Sequence, residues 1–297
     1  MIYKNWMSYI KDDVKLCDVV MPGSHNTGSY GMSWTGCCQD GDIYDQFCYG
    51  VRHYCMRLDT KNGVIVQCHG VTKGEPFTYS LRQFRRIIEE NDSEFLLIDL
   101  REYYPQKVGP ITLKFRADPK EVDKLLAKYI NPEKYAFTDF DDISKVTMGD
   151  IRRSGKRYII INHECAYAYS VNCKIDSPWD KKIHGLHAPH FVKECLSFLD
   201  KEYEGLLWFQ TQMTPNLGTD IGFRSPRKLD KALRPHFKDL IKNIASDPDK
   251  LKKANIIGGD FMTEDYMKSC EILMLNILKN NIIEPLKDEF KKGLTPA

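Results

Sequence analysis

Met21-Pro22-Gly23-Ser24-His25-Asn26-Thr27-Gly28-Ser29-Tyr30 is the stretch on which the reading of this chain turns. The run ahead of it, Cys17-Asp18-Val19-Val20, reads as a strand, placed at about residues 16–21. Pro22 and Gly23 then break that strand and deliver His25 among Ser24, Asn26 and Thr27. A histidine delivered this way sits at a strand's C-terminal lip, where α/β enzymes carry their chemistry.

Working outward, strand-like and helix-like segments alternate along the chain. Further strands are expected at about 51–58, 63–68, 94–100, 157–162, 206–212 and 254–261. Their near-continuous apolar character suits a parallel sheet covered on both faces. Helices are expected at about 45–49, 81–90, 119–130, 148–153, 189–203, 228–245 and 263–280. Ser80 and Thr263 serve as N-caps in this reading, and Pro235 kinks or breaks its helix. Residues 1–13 form an amphipathic lead-in with Trp6, Met7, Tyr9 and Ile10 on its apolar side. The pattern predicts an α/β fold, a (β/α) barrel occupying residues 1–297 as a single domain. An open doubly wound sheet is the alternative, but no glycine-rich phosphate fingerprint follows the first strand.

A formal net charge of +2 gives no support to a nucleic-acid partner. No apolar run spans a bilayer and no secretory signal opens the chain, so a cytoplasmic or non-classically exported protein is expected. None of the ten cysteines forms a C-x-x-C pair or a zinc spacing, which points to free thiols in a reducing compartment. Cys37-Cys38, in a Gly-flanked loop, is the best candidate for a reactive or paired thiol.

Polar groups recur at the ends of the expected strands: His25, Arg57 with Asp59, His69, Arg101-Glu102, Asn162-His163-Glu164 and Asp260. In a barrel they would converge on one mouth. Two histidines, two arginines and an aspartate there suit phosphoryl chemistry. One imidazole takes a proton from a nucleophile, the other protonates a leaving oxygen, and guanidinium holds the phosphate's charge.

The same residues carry a resemblance. Met21 to Gly28 resembles the opening motif of the phosphatidylinositol-specific phospholipase C X-domain family, and Trp6-Met7 is similar to that family's leading segment. Gly50-Val51-Arg52-His53-Tyr54-Cys55-Met56-Arg57 resembles the second-strand motif of its metal-independent bacterial type. Val64-Ile65-Val66-Gln67-Cys68-His69-Gly70 resembles the third, Leu96 to Arg101 the fourth, and Ile256 to Phe261 the last. The resemblance implies a distorted TIM-type barrel and an intramolecular reaction, in which the inositol 2-hydroxyl displaces diacylglycerol to leave a cyclic inositol phosphate. It makes His25 the general base, Asp260 its orienter, His69 the general acid and Arg57 the phosphate-neutralising cation. Asn26, Arg101 and Trp179 become substrate-binding residues.

Bacterial members usually carry an aspartate where this chain has Asn26, and an acid where it has Cys55. Asparagine at the first position is typical of the calcium-dependent type. Calcium, however, needs several oxygen ligands, and Cys55 and Arg57 stand where that type has acids. The expected enzyme therefore uses no metal and no cofactor; Asp59 is a weak substitute for a lost acid. The partners are a phospholipid substrate and, transiently, a membrane surface, touched by Trp34 with Tyr30 and Met32. The missing acids keep open a non-catalytic inositol-lipid binder on the same barrel, or a phosphodiesterase for another head group.

Overall fold

The computed structural model describes residues 2–101, 106–108, 111–113, 117–172, 175–178, 187–214 and 225–294. The first strand, β1 (Met21–Ser24), is followed by the short helix α1 (Ile43–Cys48). Three strands come next, β2 (His53–Lys61), β3 (Val64–His69) and β4 (Thr72–Pro76), then helix α2 (Phe77–Glu90) and strand β5 (Leu96–Arg101). A small hairpin, β6 (Gln106–Val108) with β7 (Ile111–Leu113), precedes α3 (Pro119–Ile130), α4 (Pro132–Tyr135) and α5 (Met148–Ser154). The second half runs β8 (Tyr158–Ile161), β9 (Ser170–Val171), β10 (Ile175–Asp176), α6 (Ala188–Ser197) and β11 (Leu206–Gln210). It ends with α7 (Pro226–Ser246), α8 (Pro248–Lys253), β12 (Ile256–Gly259), α9 (Met267–Leu278) and α10 (Lys287–Leu294).

Eight strands form one curled, parallel sheet in the order β10-β11-β12-β1-β2-β5-β8-β9. This is the expected α/β barrel in distorted form: among the described residues no ladder joins β9 to β10. Alternate side chains divide between two cores. Tyr54, Ile98, Ile160, Phe209 and Ile257 face outward against Phe84, Leu126, Leu240 and Ile272 of the helices. Met21, Cys55, Leu97, Ile159, Trp208 and Ile256 face inward, in one cluster with Trp6 and Met7. Both faces are dry, which is why the strands read as unbroken apolar runs. The lead-in closes the end at which the strands begin, with Trp6 Nε1 donating to Gly50 O at 2.9 Å.

Three expectations shift and one narrows. The first strand is not residues 16–21: Leu16–Asp18 is a 3-10 turn, and the ladder starts at Met21. Met-Pro-Gly-Ser has poor strand propensity, but β12 and β2 pair with it on both sides. Its partner Gly258 must stay bare, because a Cβ there would lie 2.6 Å from Trp208 Nε1 and 2.9 Å from Gly23 O. The strand ending at His69 is not a barrel strand. β3 pairs antiparallel with the outer half of β2 and with β4, an excursion beyond the rim. Ser80 and Thr263 do not cap helices. Pro76 precedes α2, and Ser80 turns inward to accept from Gln67 Nε2 at 3.1 Å. Thr263 Oγ1 accepts from Gly41 N at 3.0 Å, and α9 begins at Met267. Finally, of the two readings for Pro235 the break is excluded, because α7 runs through it as one helix.

Candidate active site

Register places the site. Ser24 of β1 is level with Gly259 of β12 and Tyr54 of β2. His25 and Asp260 are the next residues on neighbouring strands, and His25 N continues the ladder to Gly259 O at 3.0 Å. Their side chains meet at 2.7 Å, Nδ1 to Oδ1, both nearly buried. Gln39 staples the two strand ends: its Nε2 donates to His25 O (2.8 Å) and Gly259 O (3.0 Å), and its Oε1 accepts from Met262 N (3.1 Å). Lys268 Nζ donates to Asp260 O at 2.6 Å and to Asp230 Oδ1 at 2.5 Å.

Burial, then the Arg57 and Arg101 guanidiniums, lower the pKa of His25 well below the usual imidazole value. His25 is therefore neutral near pH 7. An Nδ1–H directed at Asp260 leaves the Nε2 lone pair available as a base. His69 arrives from the tip of the β3–β4 excursion, its ring 6.2 Å from that of His25 and nearly perpendicular at 79°. Its Nδ1 lies 2.9 Å from Gly36 O and 3.6 Å from Cys38 Sγ. Burial first, then His25 and Arg57, lower it to about 4. A bound anion would offset the Arg57 charge and raise it again.

Arg57 projects from β2 three residues past Tyr54 and donates to Asn26 Oδ1 at 2.8 Å. Asn26 itself adopts the left-handed conformation (φ 45°), which asparagine tolerates better than most residues. Arg101 is held by Asp99, Nε to Oδ2 at 2.8 Å, and lies 4.5 Å over the Trp208 ring. Burial works to raise Asp99, but Arg101 and His53 outweigh it and hold the carboxyl down to about 2.

The structure thus brings together His25, Asp260, His69, Arg57 and Asn26, with Arg101 on the adjoining floor. It separates others. His163 and Glu164 are exposed, and Asn162 turns inward to donate to Leu100 O at 2.7 Å. Asp59 is paired with Lys73 in the excursion. Tyr30 and Met32 are buried, leaving Trp34 exposed. Trp179 lies outside the described residues. Cys37 and Cys38 are not paired with each other; both are free thiols.

Sequence reasoning missed Trp208, His53 and Asp99, and it marked Cys38 as a reactive or paired thiol without placing it beside the histidines. Trp208 is the aromatic floor, its ring 6.3 Å from His25 and 4.6 Å from His53. Asp99 pairs in register with Cys55, so an acid absent from one strand stands on the same rung of the next. Its inward position was readable from the alternation in Leu96 to Arg101. His25, Cys38 and Asp260 together could hold a metal ion, their ligand atoms lying within 4.8 Å of one another.

No protein-family model matches the sequence, and no curated protein does. Solved structures do match in shape. The phosphatidylinositol-specific phospholipase C of Listeria monocytogenes superposes with a TM-score of 0.67 at 19% identity, over 92% of this chain and 98% of that one. A histidine-to-tyrosine mutant of the Staphylococcus aureus enzyme gives 0.65 at 15% identity, over 94% and 97%. A pentafluoro-phenylalanine form of the same enzyme gives 0.67 at 14%, over 95% and 98%. The chain has the fold of these bacterial phospholipases C. At such identities the likeness extends to the barrel, and the chemistry has to be argued from the residues.

Proposed function

We propose that the protein cleaves an inositol phospholipid, or a glycosylated inositol lipid, to diacylglycerol and a cyclic inositol phosphate. The observation that carries this reading is the His25–Asp260 pair facing His69 across 6.2 Å, with Arg57 beside it. His25 Nε2 takes the proton of the inositol 2-hydroxyl as its oxygen attacks phosphorus, while Asp260 holds the imidazole and balances its new charge. Arg57 holds the non-bridging oxygens. His69, protonated once the phosphodiester's charge is beside it, hands its proton to the departing glycerol oxygen. By the resemblance Arg57 stands where the calcium-dependent type has an acid, so the reaction as proposed uses no metal.

The membrane-facing part of the proposal rests on the rim. Trp34 and Val71 are 63% and 67% exposed. They project from adjoining loops, since Gly36 O contacts His69 and a Cβ on Gly36 would lie 2.9 Å from Thr72. One of the S. aureus structures concerns modulation of that enzyme's membrane binding. Among the described residues no helix is long and apolar enough to cross a membrane.

Phosphorus NMR of the protein with phosphatidylinositol micelles in excess EDTA tests the reading. A five-membered cyclic phosphate signal, lost in His69→Ala, is the expected result. A signal that appears only on adding calcium overturns the role given to Arg57. No signal in either condition moves the weight to another head group, or to an inositol-lipid binder in which Arg57 and Asn26 grip phosphate without turnover.

A further inference from the structure

Cys38 has no step in the reaction proposed above, yet it is buried at the centre of it. The loop carrying it folds back over the mouth and is pinned on both sides of the thiol. Cys38 N donates to Ser29 Oγ at 2.9 Å, and Cys38 O accepts from Phe261 N at 2.7 Å. The sulfur is left 3.6 Å from Asn26 Nδ2 and 3.6 Å from His69 Nδ1. We infer that His25, Cys38 and Asp260 form a site for a thiophilic divalent cation, zinc above all, and that zinc held there blocks the enzyme.

The spacing supports it. Tetrahedral zinc takes sulfur at about 2.3 Å and nitrogen or oxygen at about 2.0–2.2 Å, which sets neighbouring ligand atoms roughly 3.3–3.7 Å apart. Ligand atoms of His25, Cys38 and Asp260 already lie within 4.8 Å of one another, and all three residues are buried. The Cys38–His69 separation of 3.6 Å already matches a sulfur–nitrogen edge, so His69 can supply a fourth ligand by giving up Gly36 O.

The donor set chooses the ion. One sulfur, imidazole nitrogen and a single carboxylate suit zinc, cobalt or cadmium, and they offer calcium or magnesium too few oxygens. The thiolate and the Asp260 carboxylate, which burial favours in its protonated form and which gives up any proton it holds to solvent on binding, neutralise the dication, against the opposing charge of Arg57, Arg101 and Lys268. His25 is neutral and needs to lose no proton. The thiol, raised mainly by its burial, releases its proton to solvent as the S–Zn bond forms. Occupation opens the 2.7 Å His25–Asp260 hydrogen bond and removes the base from use. Blocking rests on the roles proposed for His25 and Asp260; binding does not.

Cobalt(II) titration of the whole protein, followed by the thiolate-to-cobalt charge-transfer band, separates the two. The band is expected in the wild type and in Cys37→Ser, and absent in Cys38→Ser. Zinc inhibition of turnover, each protein measured against its own rate in EDTA, should weaken in Cys38→Ser by more than the 10- to 100-fold typical of losing an outer partner. Calcium and magnesium should produce neither effect. A wild type without the band, or a band that survives Cys38→Ser, overturns the site. A band with turnover that zinc leaves unchanged or raises overturns the block. A band without any turnover in EDTA leaves the metal site standing and removes the proposed reaction instead.

Discussion

Two buried charged clusters meet at the start of the barrel's second strand, one around Arg52 just ahead of it and one around His53 inside the barrel, and they are built differently. At the closed end, every one of the five Arg52 donors has an acceptor. Nε and Nη2 reach Glu94 Oε2 (2.7 and 2.5 Å), Nη1 reaches Phe47 O and Val51 O (3.2 and 2.8 Å), and Nη2 also reaches Tyr3 O (2.9 Å). Inside the barrel below the mouth, both ring nitrogens of His53, Asp99 Oδ1 and Trp208 Nε1 have no hydrogen-bond partner among the described residues. His53 and Asp99 stand 3.4 Å apart, too far for a strong bond. Burying a polar atom without a partner is unfavourable. The Arg52 cluster is closed by its own chain, and the His53 cluster on the barrel floor is left open among the described residues.

Substitutions at the mouth and at the closed end of the barrel should be felt in different measurements. The largest effect is expected from His69→Ala, which should lower turnover on phosphatidylinositol by about 10²–10⁴-fold through loss of the acid. Circular dichroism at pH 7 should show its fold intact; a collapsed fold would break the comparison. Next comes Glu94→Ala, which leaves a buried guanidinium unpaired. Denaturant melts should show a loss of about 3–5 kcal/mol, with kcat/KM of the folded fraction within about twofold of wild type. Burial already pushes the Glu94 carboxyl up against the pull of Arg52, so the pair is a poor source of net stability and is damaging chiefly when broken.

Acid should act at the mouth. His69 is held at about 4 in the folded protein, below its unfolded value near 6.5. The unfolded chain therefore takes the proton first, and stability that is full above about pH 6.5 is lost as the pH falls toward 4. At about 1.4 kcal/mol per unit this is roughly 3 kcal/mol, and melts of His69→Ala across that range should show a correspondingly shallower decline. The smallest effect sharpens the picture at the rim. Trp34→Ala should reduce the rate on vesicles by about tenfold, the loss of one aromatic contact with lipid, and leave the rate on a monomeric short-chain substrate unchanged.

What could be read from the sequence followed local rules. The alternation of elements, the doubly buried strands and the strand-end positions of His25 and Asp260 all follow from periodicity and from the breaks at Pro22-Gly23 and Gly258-Gly259. Where competing structures share one local pattern, the reading failed. Val64-Ile65-Val66 is equally good as a barrel strand or an antiparallel arm, and only pairing with β2 decides. Met21 to Ser24 is a strand by virtue of its neighbours. Ser80 and Thr263 look like caps until their long-range partners, Gln67 and Gly41, are seen. The Gly-flanked Cys37-Cys38 could be marked as a reactive thiol from sequence but not placed, because Cys38 meets His69 across a fold-back of 31 residues.

The antiparallel arm also sets a timescale. His25 is anchored by a backbone bond within the parallel barrel, whereas His69 hangs at the end of β3, beside a register irregularity between Val66 and Cys68. Segments of that kind open by local unfolding at a free energy below that of the whole fold. The two proton carriers therefore belong to units of different cooperativity. On warming, amides around His69 should exchange with solvent before those of His25, and the assembled pair lasts only as long as the weaker unit stays closed.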